Sequence, residues 1–330
     1  HPTAERARAA MTLSDLGDDA LGVILEGLPN PLEPLDAVGF GSVSHRLRAL
    51  TQALREQLRT EHEVVAALCR TLGLRSCKEL REAKKIDWKN EDLFAFGSAR
   101  RAARRAARRY SATADLTTLG TLGLLLPALQ RLSLACFLGH DSVQQLAAGL
   151  GAGALPAVIL LTLRNMHVGD AGASALAAAL GRGALPRLQI LSLNYAAIGD
   201  AGLVALAPAL RRRPALLHLG LGGNPFGDEG IAALVAPPPA AGALPTTTGG
   251  LKKLKTLNLN DTQVTDAGCA ALASAFDNGA LPTLDKLTLD GTPASVTAKE
   301  AVLAALATWQ GRKEPKASFG SLCTYLSLLF

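Results

Sequence analysis

LPRLQILSLNYAAIGDAGLVALAPAL, residues 185–210, combines two hydrophobic spacings within one short stretch. In its first part Leu191 and Leu193 are separated by a single polar residue, which is the alternation of a strand. In its second part apolar residues fall at i, i+3, i+4 and i+7 from Leu203, which is the spacing of one helix face. The stretch therefore predicts a short strand, a turn and an amphipathic helix.

Similar stretches recur along the chain at an almost constant interval. Each has an apolar anchor followed by x-x-Leu-x-Leu, and successive anchors are 29, 30, 28, 38 and 30 residues apart. The anchors are Leu129, Val158, Leu188, Leu216, Leu254 and Leu284. The long interval contains the proline- and glycine-rich run 237–250, so we expect an inserted loop there.

An aspartate also recurs, seven residues after the last strand leucine of five units. These residues are Asp141, Asp170, Asp200, Asp228 and Asp266. In four of the units a glycine follows two residues later. Because an aspartate can accept hydrogen bonds from the free amides of a helix's first turn, we predict that each one caps its own helix.

A unit of one strand and one helix cannot bury both faces alone, so the units must stack. The repeats predict an α/β fold: a solenoid bent into a horseshoe, with parallel strands inside and helices outside. We place six units over residues 126–310, which is more than half of the chain. Units of this pattern resemble leucine-rich repeats of the ribonuclease-inhibitor type. That family uses one scaffold for enzyme inhibition, immune sensing, ubiquitin-ligase substrate capture and GTPase activation, so the resemblance is weak for function.

A degenerate unit is predicted over residues 76–125, with Ile86 and Trp88 in its strand and an arginine-rich insertion at about residues 97–112. The insertion accounts for the net charge of +6, because without its six arginines 28 basic residues face 28 acidic ones. Its arginines are Arg100, Arg101, Arg104, Arg105, Arg108 and Arg109. They fit a nuclear-import signal, a contact with nucleic acid or an acidic surface, or a solvated helix or loop. No aromatics interleave with them, which argues against nucleic acid.

The N-terminal module, residues 13–75, lacks the repeat and predicts two or three short helices, followed by a longer polar helix from about residue 46 to residue 72 that leads to the repeats. We expect disorder in residues 1–12. LGDDALGVILEGL followed by PLDAVGFGSVSHRLRAL resembles an F-box, a family that binds the adaptor subunit of cullin-type ubiquitin ligases. The resemblance implies an adaptor-facing or internal apolar set of Leu16, Ile24, Leu25, Leu28, Leu35, Val43 and Leu47. The family's opening Leu-Pro is Leu16-Gly17 here, and the aromatic after Ser-x-x is absent. The alternative is a module that only caps the first repeat.

The repeated strands predict a binding surface. Residues between buried leucines point out of the sheet, so packing does not fix their identity and they are available to contact a partner protein. The predicted contact residues are Arg131, Ser133, Leu160, Thr162, Arg164, Ile190, Ser192, Asn194, Tyr195, His218, Thr256, Asn258, Asn260, Lys286, Thr288 and Asp290.

We find no motif for catalysis, for a cofactor or for a metal. There is no phosphate loop, no paired-carboxylate motif and no Gly-x-Ser-x-Gly elbow, and His167 and His218 lie at different depths of the repeat. Asn258 and Asn260 have no histidine or cysteine at nucleophile spacing. We predict a protein-interaction scaffold and no enzyme, with a ubiquitin-ligase substrate receptor as the leading function. A GTPase activator using Arg164, or a passive scaffold, is the alternative.

Five cysteines with no Cys-x-x-Cys pair indicate free thiols in a reducing compartment. No stretch has the length and apolarity of a signal peptide or a membrane helix, so a cytoplasmic or nuclear protein is expected. The repeats are predicted to close near residue 310, and residues 311–330 form a tail with apolar residues.

Overall fold

The structure is a computed structural model, and it describes residues 52–89, 116–135, 141–164, 166–236 and 251–311. Several predictions concern residues outside these ranges. They are the disordered residues 1–12, the F-box-like residues 16–47, the arginine run 100–109, the inserted loop 237–250 and most of the tail 311–330.

In the described residues seven strands form one sheet, and each strand pairs in parallel with the next in chain order. The strands are β1 (Lys85–Lys89), β2 (Arg131–Ala135), β3 (Leu160–Leu163), β4 (Ile190–Ser192), β5 (His218–Gly220), β6 (Thr256–Asn258) and β7 (Lys286–Thr288). β1 contains the predicted strand residues Ile86 and Trp88, which pair in register with Leu132 and Leu134 of β2. The sheet therefore begins one strand before the regular repeats.

Helices connect the strands and pack side by side. Among the described residues, two helices precede the sheet, α1 (Gln52–Thr71) and α2 (Cys77–Glu82). The others are α3 (Ser142–Gly149), α4 (Gly169–Gly181), α5 (Asp200–Arg211), α6 (Asp228–Val235), α7 (Asp266–Asp277) and α8 (Val296–Gly311). Residues 116–121 are also helical. Each helix from α3 to α7 contacts the next, so the helices form a second layer against the sheet.

The repeated leucines form one continuous core between the two layers. The central leucine of each regular strand is buried and lies in register with its neighbours: Leu132, Leu161, Leu191, Leu219, Leu257 and Leu287. The same core begins with Val65 and Leu68 of α1 and ends with Leu306 of α8. This arrangement confirms the predicted α/β leucine-rich-repeat solenoid.

The prediction that each aspartate caps its own helix is wrong. Asp141 stands before α3 and makes no side-chain capping bond. Asp170, Asp200, Asp228 and Asp266 lie in the first turns of α4 to α7, and their carboxylates accept hydrogen bonds from the unit that follows. The donors are the amides of Gly199, of Gly227 and Gly230, of Thr265 and Gly268, and of Ser295, at 2.6–2.9 Å.

The physical reason is that free amides and the positive end of a helix dipole lie at the start of each helix. An aspartate that already lies in its own helix reaches the next helix start more easily than its own. We call these four contacts the inter-unit clamps. Thr265 and Ser295 strengthen two of them, because their hydroxyls also donate to Asp228 at 2.6 Å and to Asp266 at 2.9 Å.

The glycine two residues after the aspartate leaves room for the clamp. A Cβ at Gly202 would lie 2.5 Å from Oδ1 of Asp170 and 2.9 Å from its Cα. At Gly268 a Cβ would collide with Oδ1 of Asp228 in the same way. The Asp-x-Gly pattern therefore takes part in two successive contacts. Its aspartate contacts the unit that follows, and its glycine lies against the aspartate of the unit that precedes.

Asn224 forms a second connection between units, and the repeat spacing does not predict this role. Its side chain is only 1% exposed. Its Oδ1 accepts hydrogen bonds from the amides of Ala196 and Ile198 in the preceding unit, at 3.0 and 3.1 Å. Its Nδ2 donates to the carbonyls of Leu193, Leu221 and Gly222. One amide side chain thus satisfies five backbone groups of two turns that follow the strands.

Candidate functional site

The concave face is the face of the sheet that points away from the helices, and it carries the predicted contact residues. Five of them are less accessible than predicted, with exposures of 6–8%. These are Thr162, Ser192, Asn194, Thr256 and Asn258. Their neighbours crowd them, since Asn194 donates to the Ser192 hydroxyl at 3.2 Å and the Thr288 hydroxyl donates to Asn258 at 2.9 Å. They line the face and order it, but offer a partner little surface.

The remaining predicted residues keep accessible side chains. Tyr195, Lys286 and Asp290 are exposed. The half-buried ones are Arg131, Ser133, Leu160, Arg164, Ile190, His218, Asn260 and Thr288. The accessible surface is thus a branched apolar patch at Leu160 and Ile190, bordered by charged and aromatic side chains.

A row of turn residues follows the strands at the carboxyl edge of the sheet, and we call it the rim. Tyr195 and Asp261 have left-handed backbone conformations, each with φ of 55°. Gly223 and Gly291 occupy the equivalent positions of the units that follow, with φ of 69°. A Cβ at Gly223 would collide with the ring of Tyr195, and one at Gly291 would collide with the carboxylate of Asp261. Large side chains and glycines therefore alternate along the rim, and each large side chain lies over a glycine.

Tyr195 is held from both directions along this rim. Its hydroxyl donates to Oδ2 of Asp261 at 3.3 Å, and its ring centroid lies 6.0 Å from the guanidinium carbon of Arg164. The ring is nevertheless 48% exposed. An exposed aromatic ring held in one orientation loses little conformational entropy on binding, which suits an anchor for a partner.

Charged side chains of both signs lie along the concave face. Arg131 and Arg164 belong to the units of β2 and β3, Asp261 and Asp290 follow β6 and β7, and the exposed Lys286 lies in β7. Within the described residues, Nε of Arg164 and Oγ1 of Thr162 are buried atoms without a hydrogen-bond partner. The unit of β3 therefore carries two donor atoms that the described part of the sheet does not pair.

His218 lies near the middle of the face, and its pKa is lowered by burial and by the charge of Lys255. Because the folded pKa lies below the unfolded value, the unfolded chain binds the proton more readily just below pH 6.5. We expect the free energy of unfolding to fall as the pH drops below the unfolded-state pKa of His218. Below the folded-state pKa this residue causes no further loss of stability. Urea unfolding at about pH 8 and about pH 5.5 measures the loss, which His218→Gln should reduce. An unchanged pH dependence in that variant would contradict the assignment.

Reactive groups are scarce in the part of the chain that the structure describes. Cys69, Cys77 and Cys269 are free and buried. Burial, followed by the nearby Cys77 thiol, raises the pKa of Cys69 to about 12, so it stays protonated and is a poor nucleophile. Among these residues no group of three or more His, Cys, Asp and Glu side chains could hold a metal ion. None of the described helices has the length and apolar character needed to cross a bilayer.

One comparison with known proteins, the match to a family model, agrees with the repeat pattern. A family model described as leucine-rich repeat matches residues 185–207, 214–235 and 250–273. No curated protein matches the chain by sequence. A solved protein of Bacteroides fragilis is 13% identical, with a TM-score of 0.36, covering 72% of this chain and 67% of that one. An internalin of Listeria monocytogenes is 15% identical, with a TM-score of 0.18, covering 72% of this chain and 91% of that one.

Proposed function

We propose that this leucine-rich-repeat protein is the substrate receptor of a cullin-type ubiquitin ligase. In this proposal the concave face holds a target protein, and the F-box-like residues between 16 and 47 dock the adaptor subunit. Proteins with leucine-rich repeats generally act as binding scaffolds, so the proposal builds on protein interaction as the general function. The observation that carries the proposal is the accessible concave face with its ordered aromatic anchor, Tyr195.

The N-terminal end of the solenoid supports a separate task for the F-box-like residues. Val65 and Leu68 of α1 and Leu80 of α2 lie in the same core cluster as Ile86 and Trp88 of β1. These two helices therefore belong to the core that continues into the sheet. The outer side of α1 is polar, with Gln57, Arg59 and Glu63 among its exposed residues. Because α1 and α2 already contribute to this core, the proposal gives the residues before them a different task, which is to dock the adaptor.

Adaptor binding can be measured with the purified adaptor subunit and the full chain. We expect binding that falls at least about tenfold with Leu25→Glu, because a buried charge at an apolar contact costs more than about 1.4 kcal/mol. Ile190→Glu, which changes the concave face, is the matched control and should bind the adaptor like the unchanged chain. Circular dichroism confirms that both variants fold. If the chain without any substitution does not bind the adaptor, the ligase role is contradicted and only the scaffold function is left.

Target binding is tested by affinity capture from the native cell with two variants of the full chain. Ile190→Glu places a charge in the concave apolar patch, whereas Val204→Glu places one on the outer face of α5, where Val204 is 38% exposed. We expect a protein partner to be lost with Ile190→Glu and retained with Val204→Glu. Equal retention by both variants would contradict binding on the concave face.

A further inference from the structure

Arg164 is a cation without a carboxylate partner among the described residues, although it lies at the end of a strand in an ordered sheet. Its Nε is buried and donates to no hydrogen-bond acceptor in the described part of the chain. Its backbone is fixed, because its amide donates to the carbonyl of Leu134 at 3.2 Å. A half-buried guanidinium has lost part of its hydration, so a carboxylate from outside would restore its missing hydrogen bonds.

Thr162 provides a second unused donor beside it. One residue separates the two in the chain, so their side chains lie on the same face of the sheet. Their Cα atoms are about 7 Å apart. Thr162 is 6% exposed, and within the described residues its hydroxyl makes no hydrogen bond. Buried hydroxyls normally have a partner, and leaving one unpaired costs stability. Because this hydroxyl is closed to solvent, a ligand on the concave face would contact the half-buried guanidinium of Arg164 and not Thr162 itself.

Tyr195 holds the guanidinium of Arg164 in place. Its ring centroid lies 6.0 Å from the guanidinium carbon of Arg164, which is within the range of a cation–π contact. The ring is itself positioned by Gly223, over which it lies, and by Asp261, which accepts a hydrogen bond from its hydroxyl. The guanidinium is therefore oriented before any ligand arrives, which lowers the entropy lost on binding.

We infer that the guanidinium of Arg164, oriented by Tyr195, is a receptor for one carboxylate group, an aspartate or glutamate side chain in an exposed segment of the partner protein. The inference rests on the proposed function, because it assumes that the concave face binds a protein. A single acidic side chain fits better than a nucleic acid. Asp261 lies on the same rim, three strands away at about 4.8 Å per strand, and would repel the further phosphates of a polyanion.

The experiment uses the full chain and a displayed library of random peptides of about twelve residues, which is long enough in extended form to cross the sheet. The unchanged chain, Arg164→Gln, Arg164→Glu and Arg187→Gln are compared. Arg187 is the matched control, because it is an exposed arginine in the turn before β4. The best peptide is then synthesised with its acidic residue and with the corresponding amide, and both are titrated by fluorescence anisotropy.

We expect peptides with aspartate or glutamate at one constant position, for the unchanged chain and for Arg187→Gln. Arg164→Gln should lower the affinity for the acidic peptide at least about tenfold, which is the range of a charge-assisted hydrogen-bonded pair. The affinity for the amide peptide should not change. Arg164→Glu should select lysine or arginine at that position. Equal affinity for Arg164→Gln, no constant acidic position or no enriched peptide would overturn the receptor. Displacement of the peptide by a thymidine oligonucleotide at equal concentration would overturn it in favour of nucleic acid.

Ile190→Glu separates this inference from the proposed function. Peptides that are lost with Ile190→Glu but not with Arg164→Gln bind the concave face without the carboxylate receptor, so only the inference fails. Peptides that resist both changes bind elsewhere, and the concave face then loses its proposed role as well. Loss with both changes, together with the charge reversal by Arg164→Glu, supports both.

Discussion

Replacing Asn224 with alanine is expected to lower the free energy of unfolding by about 4 kcal/mol, because several buried backbone groups lose their partner at once. The side chain accepts from the amides of Ala196 and Ile198 and donates to three carbonyls, all in a region closed to water. Each unsatisfied buried group costs about 1–3 kcal/mol, and local relaxation recovers part of the sum. Urea unfolding followed by circular dichroism measures the change.

The chain provides its own control for this variant. Thr262 and Thr292 occupy the equivalent position in later units, and their hydroxyls donate to the carbonyls of Leu259 and Leu289 at 2.7 and 2.8 Å. Asn224→Thr should therefore keep the bond to the Leu221 carbonyl and lose those to Gly222 and to the preceding unit, at a smaller cost than Asn224→Ala. A loss below about 1 kcal/mol for Asn224→Ala would contradict the importance of the connection between units.

Gly202→Ala should be the second most damaging change, with an expected loss of about 3 kcal/mol. A methyl group there would lie 2.5 Å from Oδ1 of Asp170, and 2.9 Å from both Cα of Asp170 and Cγ2 of Ile198. Backbone cannot move aside as a flexible side chain does, so the clamp between Asp170 and Gly199 must open or the two units must separate. Thermal and urea unfolding should both detect the loss.

Gly181→Ala is the matched control, because it is also a glycine in a repeat helix and no atom lies within 4 Å of its added Cβ. Alanine favours helix over glycine, so we expect a gain of up to about 1 kcal/mol. The double variant Asp170→Ala, Gly202→Ala should be less damaging than the two single losses added together, since the first change removes the colliding carboxylate. Simple additivity would contradict the close approach of the two residues.

Much of the fold follows from spacing alone. The leucines of Leu-x-Leu alternate and then recur at helical intervals, so the strands and helices from β2 to α8 could be placed from the sequence. Ile86 and Trp88 have the same alternation, and they form the first strand even though their unit lacks the regular motif. Local patterns of this kind are dictated by which side chains must be buried, and burial is what the sequence records most directly.

The rest depends on contacts between residues about one unit apart, which spacing does not reveal. Asp200 has the composition and position of a capping residue, but only the stacked structure identifies Gly227 and Gly230 as its donors. Ser192 and Asn194 point out of the sheet as predicted, yet they are buried because they bond to each other on a crowded face. Tyr195 is one of the predicted contact residues, but its contacts with Gly223 and Asp261 belong to later units and do not follow from the spacing.

The inter-unit clamps make the array directional. Each carboxylate serves the helix that comes later in the chain, never an earlier one. Removing the last unit would leave an aspartate facing water, where it is readily hydrated. Removing an early unit would remove the aspartate that accepts hydrogen bonds at the start of the next helix, which lowers the stability by about 1 kcal/mol. Adding or removing a unit therefore costs less stability at the carboxyl end of the array. A duplicated internal unit brings both parts of the contact, the aspartate that accepts and the helix amides that donate.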